Sequence, residues 1–340
     1  MSTAPTALTS ASRSVDVLTR HAENPSAFLA LNTDTRHFTM PGVDGLIAYR
    51  PAGRRFVVQL GGVFAGPEDT GRLLDAFLAS ARREGRRAVA VQLLAADLRV
   101  YAERGFRATQ LGSSYVVALD DFSLAGKHFM KLRNKLSRAR RAGVVVSEVG
   151  VDVPASPALD ARLRDLDEQW LRDKGRHAKE LAFMVGERGG PAQPLRRLFI
   201  AHEDERMVGY LSLSPVYGRR AGWLHDLSRR SPVAPPGTAE LLTVTAIERF
   251  RAEKVSWLHF GFTPFTGLAD EHELVGADSP FARRVVRLIA EHGRRLYPAA
   301  DQEAYKRKWA PSLVQPEYVA VHGRLTPGAV WALLRLTRAL

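Results

Sequence analysis

Cysteine is absent from the 340 residues. Disulfides, thiolate nucleophiles and cysteine-bound zinc are therefore excluded, and the lack of thiols fits a reducing, cytosolic setting. Long apolar runs are missing too. A membrane-spanning helix needs about eighteen or more of them in a row, whereas stretches such as Ala329 to Leu334 are short and flanked by arginine. The first 25 residues are rich in Ser, Thr and Ala, with no hydrophobic region behind a basic start. They read as a flexible leader and not as a secretory signal, so a cytoplasmic location is expected. HExxH does not occur, and His259, His272 and His292 lack metal-ligand spacing, so no metal site is expected. GxGxxG, GxxxxGK[ST] and GxSxG are equally absent. Acidic residues are outnumbered: 49 Lys and Arg against 36 Asp and Glu give a net charge of +13 and a pI near 10.4. Such a field draws polyanions, nucleic acid or acidic lipid headgroups among them.

Apolar residues make up 45% of the chain, enough for a sizeable core, and the length suggests two domains. Short β-like runs at 45–50 and 56–60 precede Gly61-Gly62, and a 3.6-residue rhythm through Leu73, Leu74, Phe77, Leu78 and Ala81 predicts a helix over 67–84. A strand at 88–93, a helix ending near Gly105 and a strand at 115–119 complete an α/β block. A second block repeats the layout, with strands at 198–202, 207–214 and 222–227, a helix over 238–253 and a strand at 257–260. Between the blocks lie a cationic segment, 126–143, and a helix over 157–174 with Leu163, Leu166, Trp170 and Leu171 on one stripe.

Three constellations carry candidate chemistry. The segment 126–143 contains Lys127, Lys131, Arg133, Lys135, Arg138, Arg140 and Arg141 and no acid. At helical spacing Lys127, Lys131, Lys135 and Arg138 share a face suited to phosphates, while Phe129, Leu132, Leu136 and Ala139 face the protein. A solvated basic helix balanced by acidic neighbours is the plainer alternative. The second constellation is HDLSRR, 225–230, leading through Pro235-Pro236-Gly237-Thr238 into a helix. There Asp226 is a candidate proton acceptor and Arg229 a candidate phosphate or oxyanion ligand, and the loop offers backbone N–H groups to an anion. An Asp226–Arg229 ion pair bracing a turn is the alternative. The third is 296–321, where a helix turns into a strand at a proline. Lys306 and Lys308, flanked by Tyr305 and Trp309, are two residues apart, so one would enter a cleft while the other points away.

The stretch from about Gly45 to Val321 resembles the catalytic domain of the phosphatidylglycerol lysyl- and alanyltransferases. The resemblance rests on FSLAGKHFMKLRNKLSRARRAG, on HDLSRR with the following PxGTxELL loop, on GFTPF at Gly261, and on YKRKWAP with a Tyr-Val-Ala strand. It implies an α/β architecture of two tandem GNAT-like domains (26–125 and 157–325) joined by a basic helix and linker (126–156), with an amphipathic helix at 326–340. It also implies aminoacyl transfer from charged tRNA as co-substrate, without further cofactor, to a hydroxyl or amine. Asp226, Arg229, Lys306 and Lys308 match the family's functional motifs; the basic helix would meet tRNA, and Gly237, Thr238 and Glu240 would lie near a substrate phosphate. No large membrane region precedes the motifs, and HDLSRR lacks the usual Met before Arg. The acceptor thus stays open between phosphatidylglycerol and a soluble hydroxylamine or amine. Val330–Leu340 reads either as a packing helix or as a peripheral contact at the inner membrane face. A CoA-dependent N-acyltransferase and a non-catalytic tRNA- or membrane-binding module are the competing readings.

Overall fold

The computed structural model describes residues 4–173, 183–274, 276, 278–292 and 298–337. Helix α1 (Ala4–His21) leads through a 3-10 turn to strands β1 (Arg36–Phe38), β2 (Gly45–Ala52) and β3 (Phe56–Ala65). Helix α2 (Pro67–Arg83) returns the chain to β4 (Arg87–Leu93), and the short α3 (Leu98–Ala102) precedes β5 (Phe106–Ala118). Next come α4 (Met130–Arg141), β6 (Val144–Glu148), α5 (Pro157–Asp173), β7 (Arg197–Glu203), β8 (Arg206–Val216) and β9 (Gly222–Arg230). Helix α6 (Thr238–Ala252) connects to β10 (Trp257–Pro264), followed by α7 (Pro280–His292), α8 (Ala299–Arg307), β11 (Leu313–His322) and α9 (Pro327–Leu336).

Local chemistry sets these boundaries. In α2 Pro67 opens the first turn with Glu68 and Asp69, Arg82 and Arg83 close the last, and both charge biases suit the helix dipole. Gly85, at φ +68°, then ends the helix: its N–H reaches the Arg82 carbonyl and that of Arg86 reaches the Ala81 carbonyl, the paired bonds of a Schellman stop. Strand β3 is apolar nearly throughout and almost wholly buried, as a strand covered on both faces must be.

The eleven strands among the described residues form one sheet in the order β1-β2-β3-β4-β11-β5-β10-β9-β8-β7-β6. The same motif occurs twice, an antiparallel pair followed by a helical crossover to a parallel strand: β2, β3, α2, β4 and again β8, β9, α6, β10. One sheet runs through both of the expected tandem domains, however. Strand β11, assigned by the sequence to the second domain, pairs with β4 and β5 of the first half, and β5 pairs with β10. Mixed α/β construction holds; the boundary near residue 125 does not isolate a complete sheet.

The leader is also different from expectation. Helix α1 reaches back to Ala4, and Val17, Leu18 and Ala22 pack with Phe28, Leu46 and Phe64 in a buried cluster, each large side chain contributing about 1.5–3 kcal/mol. The basic helix is shorter than the cationic segment: it begins at Met130, so Lys127 precedes it. Lys174, expected at the end of α5, lies outside the described residues, as do 338–340 of the last helix. No described helix is long and apolar enough to cross a membrane.

Candidate functional site

Parallel pairing between β9 and β10 is brief, with Trp223 opposite Leu258 and Leu224 opposite His259, and then the strands part. Each strand carries a bulge where they separate. On β9, Leu213 faces His225 and Ser212 faces Leu227, which leaves Asp226 as the extra residue. On β10, Val116 faces His259 and Tyr115 faces Gly261, which leaves Phe260 extra. Bulges re-aim side chains and bend strands, so the opening follows from local backbone geometry.

Asp226 occupies one lip. Its side chain is 2% exposed and its Oδ2 lies 3.5 Å from Arg196 Nε, itself fully buried. Gly186 lies against the carboxylate so closely that a Cβ there would overlap it. Burial raises this carboxyl to about 6, with the charge of Arg196 opposing. The alternative reading, an Asp226–Arg229 pair, does not hold: Asp226 meets Arg196 and Arg229 meets Asp167. Arg229 turns instead to α5, where it sits 3.4 Å from Asp167 and over the Trp170 ring at 4.6 Å; Tyr210 Oη and Arg188 Nε donate to the same Asp167.

Lys306 marks the opposite lip. Its Nζ donates to the carbonyls of Gly261 at 2.8 Å and Phe262 at 3.0 Å, residues of β10 just beyond its last pairing with β9. Burial pulls the ammonium down to about 7, against the attraction of Glu317. Glu317 comes from β11, accepts from Ser114 Oγ and is fully buried; desolvation pushes it up to about 7. Lys308 also turns inward, correcting the view that one lysine would point away. Its Nζ donates to Glu240 Oε1 at 2.7 Å and stands 3.5 Å from the Tyr305 ring centre, and desolvation lowers it to about 8.

His225 is a residue that sequence reasoning did not single out. Its ring sits between Phe260 and Tyr305, with centroids at 5.4 and 6.0 Å, and its Nε2 is buried without a hydrogen-bond partner. Burial, then the charges of Lys306 and Lys308, hold it down at about 3, so the imidazole is neutral at physiological pH. Its place beside Asp226 was the available signal. Arg196, Gly186 and Glu317 gave none, because each arrives from a distant segment.

The loop before α6 is not the open anion cradle expected of it. Gly237, at φ +97°, is covered by the α4 backbone at Lys135, and the buried Thr238 donates its hydroxyl to the Pro235 carbonyl. Glu240 presents a carboxylate there. Burial would raise it, but Lys308 and then Lys135 hold it at about 2. Lys135 Nζ lies 2.9 Å from that carboxylate, Arg133 donates to the carbonyls of Leu124 and Gly126, and Arg140 reaches Glu248 at 4.0 Å. Arg141 Nε donates to the Ser137 carbonyl at 3.3 Å. All seven basic side chains remain exposed, while Leu132, Leu136 and Ala139 are buried. Among the described residues no group of three or more His, Asp or Glu is placed to hold a metal.

Residues 15–321 match the family model described as "Phosphatidylglycerol lysyltransferase, C-terminal". The chain belongs to that family. A lysylphosphatidylglycerol biosynthesis bifunctional protein of Mycolicibacterium vanbaalenii is 28% identical over 288 residues, 79% of this chain and 25% of the relative. A phosphatidylglycerol lysyltransferase of Bacillus subtilis is 24% identical over 294 residues, 85% of this chain and 32% of the relative. The chain thus spans a quarter to a third of the length of these two relatives. Among solved structures, L-PGS from Bacillus licheniformis superposes with a TM-score of 0.79 at 23% identity, covering 97% of both chains. The C-terminal domain of a putative lysylphosphatidylglycerol synthetase from Agrobacterium fabrum gives 0.75 at 25% identity, covering 96% of this chain and 95% of that one.

Proposed function

We propose that the protein moves an aminoacyl group from charged tRNA to a hydroxyl of phosphatidylglycerol, at the opening between β9 and β10. The observation that carries this reading is the place of both groups where β9 and β10 part: Asp226, a carboxyl raised to about 6, is the bulge residue of β9, and Lys306, an ammonium lowered to about 7, holds the Gly261 and Phe262 carbonyls just past the bulge of β10. The acceptor hydroxyl attacks the ester carbonyl of the aminoacyl group while its proton passes to Asp226. The tetrahedral oxyanion is stabilised by the Lys306 or Lys308 ammonium. The carbon–oxygen bond to the tRNA ribose then breaks, and the ribose oxygen takes the proton back. Neutral His225 holds its unpartnered Nε2 beside this path, and Arg229 acts by fixing β9 against Asp167.

Lys127, Lys131 and Arg138 form no ion pair among the described residues and make the tRNA face, together with Arg133, Lys135, Arg140 and Arg141. A CoA-dependent acyltransferase is less well supported, because α4 covers the start of α6, where backbone amides would otherwise meet a pyrophosphate. The test is transfer of label from a pool of charged tRNAs into the organic phase with phosphatidylglycerol present. Label is expected in lipid, Asp226→Asn is expected to slow transfer by about 10²–10⁴, and Lys131→Glu with Arg138→Glu is expected to weaken tRNA binding and flatten its salt dependence. Absence of label in lipid from the unmodified protein would exclude this acceptor and direct the search to soluble amines and hydroxylamines.

A further inference from the structure

Helix α7 carries two apolar stripes and has a sheet for only one of them. Ala282 and Val286 are buried against the body, where α7 packs on β5. To one side of that stripe Phe281, Val285 and Leu288 recur at four and three residues, forming a ridge in which Val285 is half-buried and the other two stand out. Phe281 is 62% exposed and Leu288 59%. Arg284 flanks this ridge, exposed and without an ion pair among the described residues. Arg283 and Arg287 pin the helix to Asp270, and Arg283 also approaches Asp278. An open groove of about 340 Å³ runs along the helix between Arg283, Arg284, Arg287, Leu288 and Glu291.

Position adds a second argument. Strands β9 and β10 open toward their carboxyl ends, the edge that holds Asp226 and the carbonyls bound by Lys306. Strand β10 last pairs at Pro264, opposite Gly112. Strand β5 continues beyond it, and Asp278, at the foot of α7, bridges to Ala108 on that overhang. The foot of α7 therefore lies at the edge of the sheet toward which the site opens. A two-chain lipid acceptor has to reach that edge from a bilayer.

We propose that the outer face of α7 is the surface that docks on an anionic phospholipid bilayer, with Phe281 and Leu288 entering the acyl boundary and Arg284 meeting lipid phosphate. Apolar insertion flanked by arginine is how interfacial helices bind, and the net charge of +13 favours an acidic surface. This rests on the lipid acceptor read above and names the face that would meet it. It also moves the membrane contact away from α9, whose exposed Trp331 was the sequence-based candidate.

The test is co-sedimentation of the full chain with vesicles of equal parts phosphatidylcholine and phosphatidylglycerol, against phosphatidylcholine alone. The unmodified protein is expected to sediment with the mixed vesicles only, and less so as salt rises. Phe281→Glu with Leu288→Glu is expected to weaken sedimentation by roughly tenfold or more, Arg284→Glu to weaken it less, and Trp331→Glu to leave it unchanged. These side chains are exposed, so thermal melting of each variant is expected to match the parent. Transfer to a short-chain, monomerically dispersed phosphatidylglycerol separates docking from chemistry: the double variant is expected to keep it while losing transfer to vesicles. Failure of the unmodified protein to bind mixed vesicles, equal binding by the double variant, or loss of binding through Trp331→Glu would each overturn the proposal. Vesicle binding without transfer to either lipid would overturn the acceptor reading and leave the docking face in place.

Discussion

Asp226 is held in surroundings that make its charge expensive, and this gives the site a pH signature. A carboxyl raised from 3.8 to about 6 is protonated below that value and cannot accept a proton, so transfer is expected to fall with unit slope as the pH drops through about 6. The Lys306 ammonium is lost above about 7 and that of Lys308 above about 8, so the rate is expected to fall again across that range. Asp226→Asn should abolish the acid limb along with most of the rate. The sign for folding is opposite. A raised carboxyl costs stability as the pH rises from 3.8 to about 6, so Asp226→Asn is expected to keep the unfolding midpoint at neutral pH or raise it. A rate that falls while stability does not fall separates a chemical role from a structural one. Asp226 itself was readable because HDLSRR is a compact motif. Its actual partner, Arg196, was not, since a buried pair between a strand and a loop leaves no spacing in the sequence; the nearer Arg229 looked equally good until the bulge and α5 divided the two.

Among elements, Glu240 ties three together. It stands in the first turn of α6 and accepts from Lys135 of α4 and from Lys308 just past α8. Glu240→Gln is expected to destabilise the protein by roughly 2–3 kcal/mol at neutral pH, seen as a lower urea midpoint with unchanged slope. Because the carboxyl is held at about 2 against an ordinary 4.5, its contribution is present above 4.5 and fades as the pH falls toward 2. Parent and variant should therefore converge in acid. The inward face of α4 was legible from the 3.6-residue rhythm of Leu132, Leu136 and Ala139. Its outward lysine row was read as a phosphate face or as a helix balanced by acidic neighbours, and which acid meets it was not legible: Lys135 is bound to Glu240, a pairing made across 105 residues of sequence. Strand β5 was seen only over its apolar end. Thr109, Gln110, Ser113 and Ser114 are all buried in it, and such residues in a row look like a loop until their partners are known. Gln110, for one, donates to the Gly267 carbonyl and accepts from the Ala269 N–H.

For the whole molecule, the decisive feature is the placement of β11 between β4 and β5. Each of its neighbours would otherwise be an edge with unpaired backbone groups. The two halves are thus expected to unfold together in one transition, with circular dichroism and tryptophan fluorescence giving the same midpoint; two separated transitions would show that each half is stable alone. Repetition of the strand–strand–helix–strand motif was legible from the order of elements. Which half receives β11 was not, because period and propensity describe a strand but not its neighbours.

That placement also bears on how the protein is made. As a nascent chain leaves the ribosome, β4 and β5 emerge early with apolar strands and no neighbour between them. They wait while α4 through α8 are synthesised, and only when His322 has cleared the exit tunnel can the sheet close. Until then the open slot is a template for any extended chain nearby, so yield in the cell should respond to chaperone supply and to translation speed over 120–312.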